Sequence, residues 1–338
     1  MMKPRSLLIV AALGLGAAGI LYAVLHRRPN TPPAGTPPAL LDFAPQDSTV
    51  FVYADLAALR ASPFLAQLAA LAPAPNTDRD YAEFVRATGF DYERDLDRAI
   101  LAVRPKGNDS ETFAVADGRF DVKRITAYAL RTGKRATQSG KEVILVPAKA
   151  PAKPVTFTFV DEQRILLTNG ESLAPLLAVA AEARPSGTLQ PEMRERISRV
   201  AGSPVFAVGK LGVSFERAVA ELSSAGLRSD QLDNLLRSLR WLSFAARPEG
   251  NELRVALEGE TDTASNARQI AVSLDGLRLL GKLALADPKT RRQMDRASLA
   301  LADAVLKSAD VSRDDEGNAH RVRLTFAITA NQIVPAAK

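Results

Sequence analysis

Apolar positions along this chain fall into three patterns. The first is an uncharged run of 19 residues from Leu7 to Leu25, broken only by the weakly polar Tyr22. As a helix it would span about 28 Å, close to the hydrocarbon thickness of a bilayer. Lys3 and Arg5 precede it and His26, Arg27 and Arg28 follow, so it reads as a membrane anchor. A cleaved secretory signal peptide is the competing reading. Its only small-residue cleavage pattern, Ala17-Ala18-Gly19, lies inside the run, and cutting there would strand Ile20 to Leu25 as an apolar stub. The short basic start is expected to stay inside, which exports the rest of the chain. Gly14 to Gly19 also spells the GxGxxG dinucleotide fingerprint, but mid-membrane it lacks the preceding strand that fingerprint needs.

The second pattern is alternating or continuous apolar runs of strand length, and it occurs twice. Val50-Phe51-Val52-Tyr53-Ala54-Asp55-Leu56 is echoed by Val205-Phe206-Ala207-Val208-Gly209-Lys210-Leu211. Arg104-Pro105-Lys106-Gly107-Asn108 is echoed by Arg247-Pro248-Glu249-Gly250-Asn251. Strand candidates flank each turn: Ala99 to Val103 and Thr112 to Ala116 in one half, Trp241 to Ala246 and Glu252 to Leu257 in the other. In the turn, proline sets φ and the glycine tolerates positive φ. Gly118-x-x-Asp121 and Gly259-x-x-Asp262 follow, each aspartate suited to cap a helix. Returning strands are expected at Glu142 to Val146, Val155 to Val160 and Arg164 to Thr168, and at Arg321 to Ala327. Each half therefore reads βαββαβ, a split-βαβ arrangement of the α+β class with antiparallel sheets and helices packed on one face.

The third pattern is helical. Ile270, Leu274, Leu277 and Gly281 share a face over Ala264 to Ala286, and Asp287-Pro288 stops the helix. Met294, Ala297, Leu301 and Val305 mark a second helix over Lys289 to Leu306, so a helical hairpin on the sheet is predicted. Its apolar stripe is read as core-facing rather than as a partner groove. The domain reading is an anchor over 1–28, a Pro-rich spacer over 29–45, a first repeat over 46–184, a connector over 185–202, and a second repeat with the hairpin over 203–334. Pro32, Pro33, Pro37, Pro38 and Pro45 make the spacer extended and semi-rigid.

Composition then removes function classes. The 338 residues contain no cysteine and two histidines, which excludes thiolate catalysis and Cys-ligated zinc and nearly excludes multi-histidine metal sites. The net charge of +6 suggests a nucleic-acid binder until it is divided. Residues 1–28 carry four basic residues and no acid, and the remainder has 40 basic against 38 acidic residues. With no concentrated basic face or stacking aromatics, no nucleic-acid partner is expected.

No GxSxG elbow or SxxK pair occurs. His320, close after Asp314, Asp315 and Glu316, could be a base oriented by a carboxylate, but reads better as a sheet-edge residue beside a charged turn. Ser312, Asp314, Glu316 and Gly317 imitate part of a calcium loop, but its twelfth position is Arg323 where a glutamate is required. Asp91, Glu93, Asp95 and Asp97 are interleaved with Arg94 and Arg98, a solvated pattern. Asn108-Asp109-Ser110 matches the glycosylation triplet, a frequent chance occurrence. No catalytic, cofactor-binding or metal-ligating residue is assigned.

At Asp47-Ser48-Thr49-Val50-Phe51-Val52-Tyr53-Ala54-Asp55-Leu56 and at Gly118-Arg119-Phe120-Asp121 the chain resembles uncharacterised bacterial exported proteins with one N-terminal anchor and a duplicated α+β ectodomain. The resemblance implies a periplasmic domain tethered to the cytoplasmic membrane through Leu7 to Leu25, with an envelope protein as partner, and carries no catalytic residues. The role expected is that of an envelope binding or scaffold protein, with a carrier of an apolar ligand and a carboxylate-dependent hydrolase as the alternatives. A binding or scaffold protein would have a closed core, a carrier of an apolar ligand would have an apolar cavity of a few hundred Å³, and a carboxylate-dependent hydrolase would have two facing carboxylates.

Overall fold

The computed structural model of the chain describes residues 35–36, 38–71, 79–107, 109–148, 153–181, 189–211, 238–315 and 320–333. The run from Leu7 to Leu25, His26, most of the Pro-rich spacer, Asn108, Glu316, Gly317 and the segment after Leu211 lie outside these residues. Among the described residues no helix is long and apolar enough to cross a membrane.

The architecture is mixed α+β. A short 3-10 turn, Ala39–Phe43, is followed by helices α1 (Leu56–Arg60), α2 (Pro63–Leu71), α3 (Arg79–Thr88), α4 (Tyr92–Asp95), α5 (Val122–Ala129) and α6 (Ala174–Ala181). Further on come α7 (Pro191–Val200), α8 (Ala264–Ala286), α9 (Pro288–Gln293), α10 (Arg296–Ser308) and α11 (Ala330–Ile333). The described residues form two compact units: those within 36–58 and 79–195 belong to the first, and Gly35 with those within 59–71 and 196–333 to the second.

In the first unit, β1 (Val50–Asp55), β2 (Leu96–Lys106), β3 (Asp109–Gly118), β4 (Lys134–Gln138), β5 (Lys141–Val146), β6 (Val155–Phe159) and β7 (Arg164–Thr168) run in the order β1-β2-β3-β7-β6-β5-β4, each antiparallel to its neighbour. In the second, β8 (Val205–Lys210), β9 (Trp241–Glu249), β10 (Glu252–Thr261), β11 (Asp310–Asp314) and β12 (His320–Thr329) run β8-β9-β10-β12-β11, again antiparallel. The β2–β3 and β9–β10 hairpins turn at Gly107 and Gly250, with φ of +57° and +58°, a region a side chain would strain.

The units share more than their hairpins. In each, the returning strand lies beside the second hairpin strand, and an arginine on it faces an acid one residue before the glycine. Arg164 Nε donates to Asp117 Oδ1 at 2.7 Å, and Arg323 Nε donates to Glu258 Oε2 at 3.1 Å. Both acids are buried, so each pair fixes the register of its two strands where a one-residue slip would strand a charge.

Several expectations are corrected. The sheets are not split-βαβ: β1 pairs directly with β2, because the residues between them form four short helices that return the chain antiparallel rather than one crossover helix. Helices do not occupy one face alone. On β2 and β3, Ala99, Ala114 and Ala116 pack under α5 with Phe120 and Ile125. On the opposite face Phe113 and Val115 are buried, Arg104 lies over the Phe113 ring, and Arg164 lies 4.7 Å from the Phe43 ring of the 3-10 turn. In the second unit α8 packs on the Val322 face, while α7 covers the Glu258 face. Continuous apolar runs such as Ala99 to Val103 mean burial on both sides.

Helix ends also differ in detail. Asp121 caps α5 as expected, accepting from Arg124 N at 3.0 Å. Asp262 does not cap α8; it is paired with Arg240, and the Thr263 hydroxyl accepts from Asn266 N instead. The helix expected over 289–306 is interrupted, since Asp295 accepts from Ser298 N and starts α10 afresh. Residues 185–202, read as a connector, contain α7.

Candidate functional site

The first unit holds a partly open cavity of about 340 Å³ between its sheet and helices α3 and α5. Its floor is laid by strands: Leu96 at the start of β2, Ala116 on β3, Val155 and Phe157 on β6, Ile165 and Leu167 on β7. Alternation puts these side chains on one face, and Ala99, Ala114 and Ala116 keep that face low where two hairpin strands meet. Of the three, Ala116 borders the cavity, and its methyl leaves room that leucine would fill.

The roof comes from amphipathic helices. Tyr81 and Phe84 are three residues apart on α3, and Ile125, Tyr128 and Ala129 share a face of α5, so each helix turns a stripe toward the sheet. Phe90 enters from the α3–α4 connection, Tyr92 from the start of α4 and Phe120 from the loop before α5. Seven of the lining residues are aromatic, out of thirteen Phe, five Tyr and one Trp in the chain. Scarce aromatics are thus concentrated around one space. They brace one another: Phe90 stacks on Phe120 at 5.2 Å, and Phe84 meets Tyr128 edge-on at 5.4 Å.

Polar groups sit at the edges. The Tyr81 hydroxyl donates to Asp91 Oδ1 at 3.0 Å and accepts from Tyr92 N at 3.2 Å, so its polar tip is satisfied and its ring faces the cavity. Burial, then the bond to Asp91, pushes its hydroxyl pKa above the ordinary phenol range. At the exposed rim Arg131 Nη1 donates to Glu83 Oε1 at 3.0 Å, tying the residues after α5 to α3, while its guanidinium lies 5.2 Å from the Tyr128 ring. The carboxylates of the lining, Asp80 and Glu83, are three residues apart on one helix, and Glu83 is engaged by Arg131. They do not face each other across the space as a hydrolytic pair must.

The residues singled out in the sequence lie elsewhere. His320 opens β12 in the second unit, its Nδ1 3.6 Å from Asp315 Oδ1. Asp315 also pairs with Arg313 at 2.7 Å and Asp314 with Arg321 at 3.4 Å, which makes this a charged hairpin end. Ser312 and Asp314 belong to β11 and do not form a loop. Asp91 caps α4, accepting from Glu93 N, Asp95 binds Arg94, and Asp97 binds Arg119 at 2.9 Å. Among the described residues no cluster of three or more acids and histidines could hold a metal ion.

None of the cavity residues was identified from sequence. The available signal was Ala116 at a core position of β3, where a two-sided strand ordinarily carries valine, isoleucine or leucine.

No known protein family matches the chain. No curated protein matches it either. The resemblance noted at residues 47–56 and 118–121 therefore has no family match behind it. Among solved structures, three crystal forms of TP0453 are similar. Form I is 12% identical with a TM-score of 0.42, covering 87% of this chain and 94% of that one. Form III is 10% identical at 0.45, covering 89% and 98%, and form IV is 12% identical at 0.46, covering 87% and 94%. Likeness at this level carries neither fold nor function across.

Proposed function

We propose that this chain is a membrane-tethered carrier of the bacterial envelope that holds an apolar ligand inside its first α+β unit. The observation that supports a carrier over a closed scaffold is the cavity of about 340 Å³, floored by Ala116 and the apolar side chains of β6 and β7 and roofed by aromatics. Binding sites for small ligands fall in the range of about 300–1,000 Å³ and combine apolar walls with a few polar groups at one end. This one stands at the small end of that range, suited to a single acyl chain or a compact ring system. The Arg131–Glu83 pair offers the polar end a cation and a carboxylate at the rim. The tether rests on the run from Leu7 to Leu25 and its basic flanks, and the two units are read as copies of one duplicated ancestor.

The test is titration of the purified chain with the polarity-sensitive dye N-phenyl-1-naphthylamine, followed by displacement with fatty acids of graded length. One saturable site, weakened more than tenfold in Ala116→Leu, supports the proposal. Absence of saturable binding, or equal binding by Ala116→Leu, overturns it.

A further inference from the structure

Helix α8 is apolar on two opposite sides. Its inner side packs Ala267, Ile270 and Leu274 with Val322 and Leu239, and Gly281 admits Leu306 of α10 to where a Cβ would stand. Its outer side carries Val272, Leu279, Leu280 and Leu283, at i, i+7, i+8 and i+11, which share one helical face. These four are 59–66% exposed, and Gly276 between them faces open space. An amphipathic helix on a sheet needs only one apolar face, so the second one is unexplained by folding.

The charge around this outer face is also uneven. Lys282 flanks it, and Lys289, Arg291 and Arg292 follow in α9. The one acid between residues 279 and 293 is Asp287, and its carboxylate is taken up capping α9, accepting from Lys289 N and Thr290 N. Nearby cations elsewhere are neutralised: Arg278 pairs with Asp275 and Lys307 with Asp303. Among the described residues, Lys282, Lys289, Arg291 and Arg292 have no such acidic partner. Solvent-facing leucines joined to uncompensated cations are complementary to one environment, where hydrocarbon lies directly beneath negative charge. Contact with a second copy through the same face would bring two sets of these cations together.

We propose that the distal half of α8, with α9, docks on an anionic bilayer surface. Leu279, Leu280 and Leu283 enter the boundary between headgroups and acyl chains, and the four cations lie among the lipid phosphates. This surface belongs to the second unit and does not depend on a ligand filling the cavity of the first.

The chain has no cysteine, so a polarity-sensitive label at Leu280→Cys is unique in the full-length protein. Val160→Cys, at an exposed apolar position of the first unit, is the control. Each is reconstituted with phosphatidylcholine vesicles, with or without phosphatidylglycerol, and quenched by neutral acrylamide. Any anchor then serves both positions and both lipids alike. The label at 280 should be shielded severalfold on anionic vesicles and not on neutral ones, with the label at 160 quenched equally on both. Replacing Lys282 and Arg291 by Gln should weaken shielding about fivefold per charge. Leu279→Ser with Leu283→Ser should abolish it with an unchanged circular dichroism spectrum, since both side chains face solvent. Quenching at 280 equal to that at 160 on anionic vesicles, equal shielding on neutral vesicles, or shielding without vesicles that rises with protein concentration would each overturn the proposal.

Discussion

The two units lay the same kind of hairpin and returning strand under their helices and fill the space between differently. In the first, the paired helix-facing positions of the hairpin are Ala99 with Ala116 and Leu101 with Ala114; in the second, pairs on the corresponding face are Phe244 with Leu257 and Ala246 with Val255. One hairpin borders a cavity, and the other carries more bulk toward its own helices. The register pairs differ as well. Asp117 is met by the half-exposed Arg98 and by Arg164, whereas Glu258 and Glu260 are held by Arg196, Arg199 and Arg323, all largely sequestered. Arg196 also lies 4.1 Å from the Trp241 ring. What the first unit gives up in packing, the second replaces with apolar bulk and a denser ionic network.

The largest effect expected from breaking this contrast is Glu260→Ala. It leaves Arg196 and Arg199 short of a counter-charge in a buried setting and should cost about 3–5 kcal/mol in urea unfolding. Asp117→Ala should cost about 1–2 kcal/mol, because Arg98 and Arg164 keep access to water. Equal costs would remove the distinction between the networks.

Next is the exchange of bulk. Leu257→Ala should destabilise by about 2 kcal/mol, at the low end for core truncations because Leu257 is only half-buried. Ala116→Leu should stay within about 1 kcal/mol of the parent, since the new side chain enters existing space. A large destabilisation by Ala116→Leu would mean the cavity is not free to be filled.

Smaller still are the caps, Asp121→Ala and Thr263→Ala, each expected to cost about 1 kcal/mol by thermal unfolding. Acid sensitivity is the last. The Arg94 guanidinium, and then the backbone amide of Asp91, hold the Asp95 carboxyl below the ordinary aspartate range. A lowered folded pKa stabilises above the unfolded value of about 3.9, and that stability is lost as pH falls through the folded value. Asp95→Asn should therefore flatten the acid limb of the stability–pH curve below about pH 4, and an unchanged limb would exclude this group as a contributor.

Strands with long apolar runs were legible from sequence because burial on both faces leaves few polar positions: β7 was placed at Arg164 to Thr168, as observed. Helix α8 was legible at both ends, where Asp287-Pro288 stops it. Its outer leucines were not distinguished from its inner ones, because helical spacing singles out one stripe only where the opposite side is polar, and this helix is apolar on both sides. The cavity was illegible for another reason. Its walls come from segments spread over residues 80–167, and only tertiary pairing brings them together. Strands β4 and β11 were missed because Lys134-Arg135-Ala136-Thr137-Gln138 and Asp310-Val311-Ser312-Arg313-Asp314 lack an apolar core.

Those two polar strands have a further consequence. Each ends the run of strands in its unit and would present a row of unpaired amides and carbonyls to any passing chain. Lysine, arginine and aspartate along them make the addition of another strand electrostatically and sterically unrewarding. At high local concentration, such charged borders would keep neighbouring copies from zipping together into aggregates.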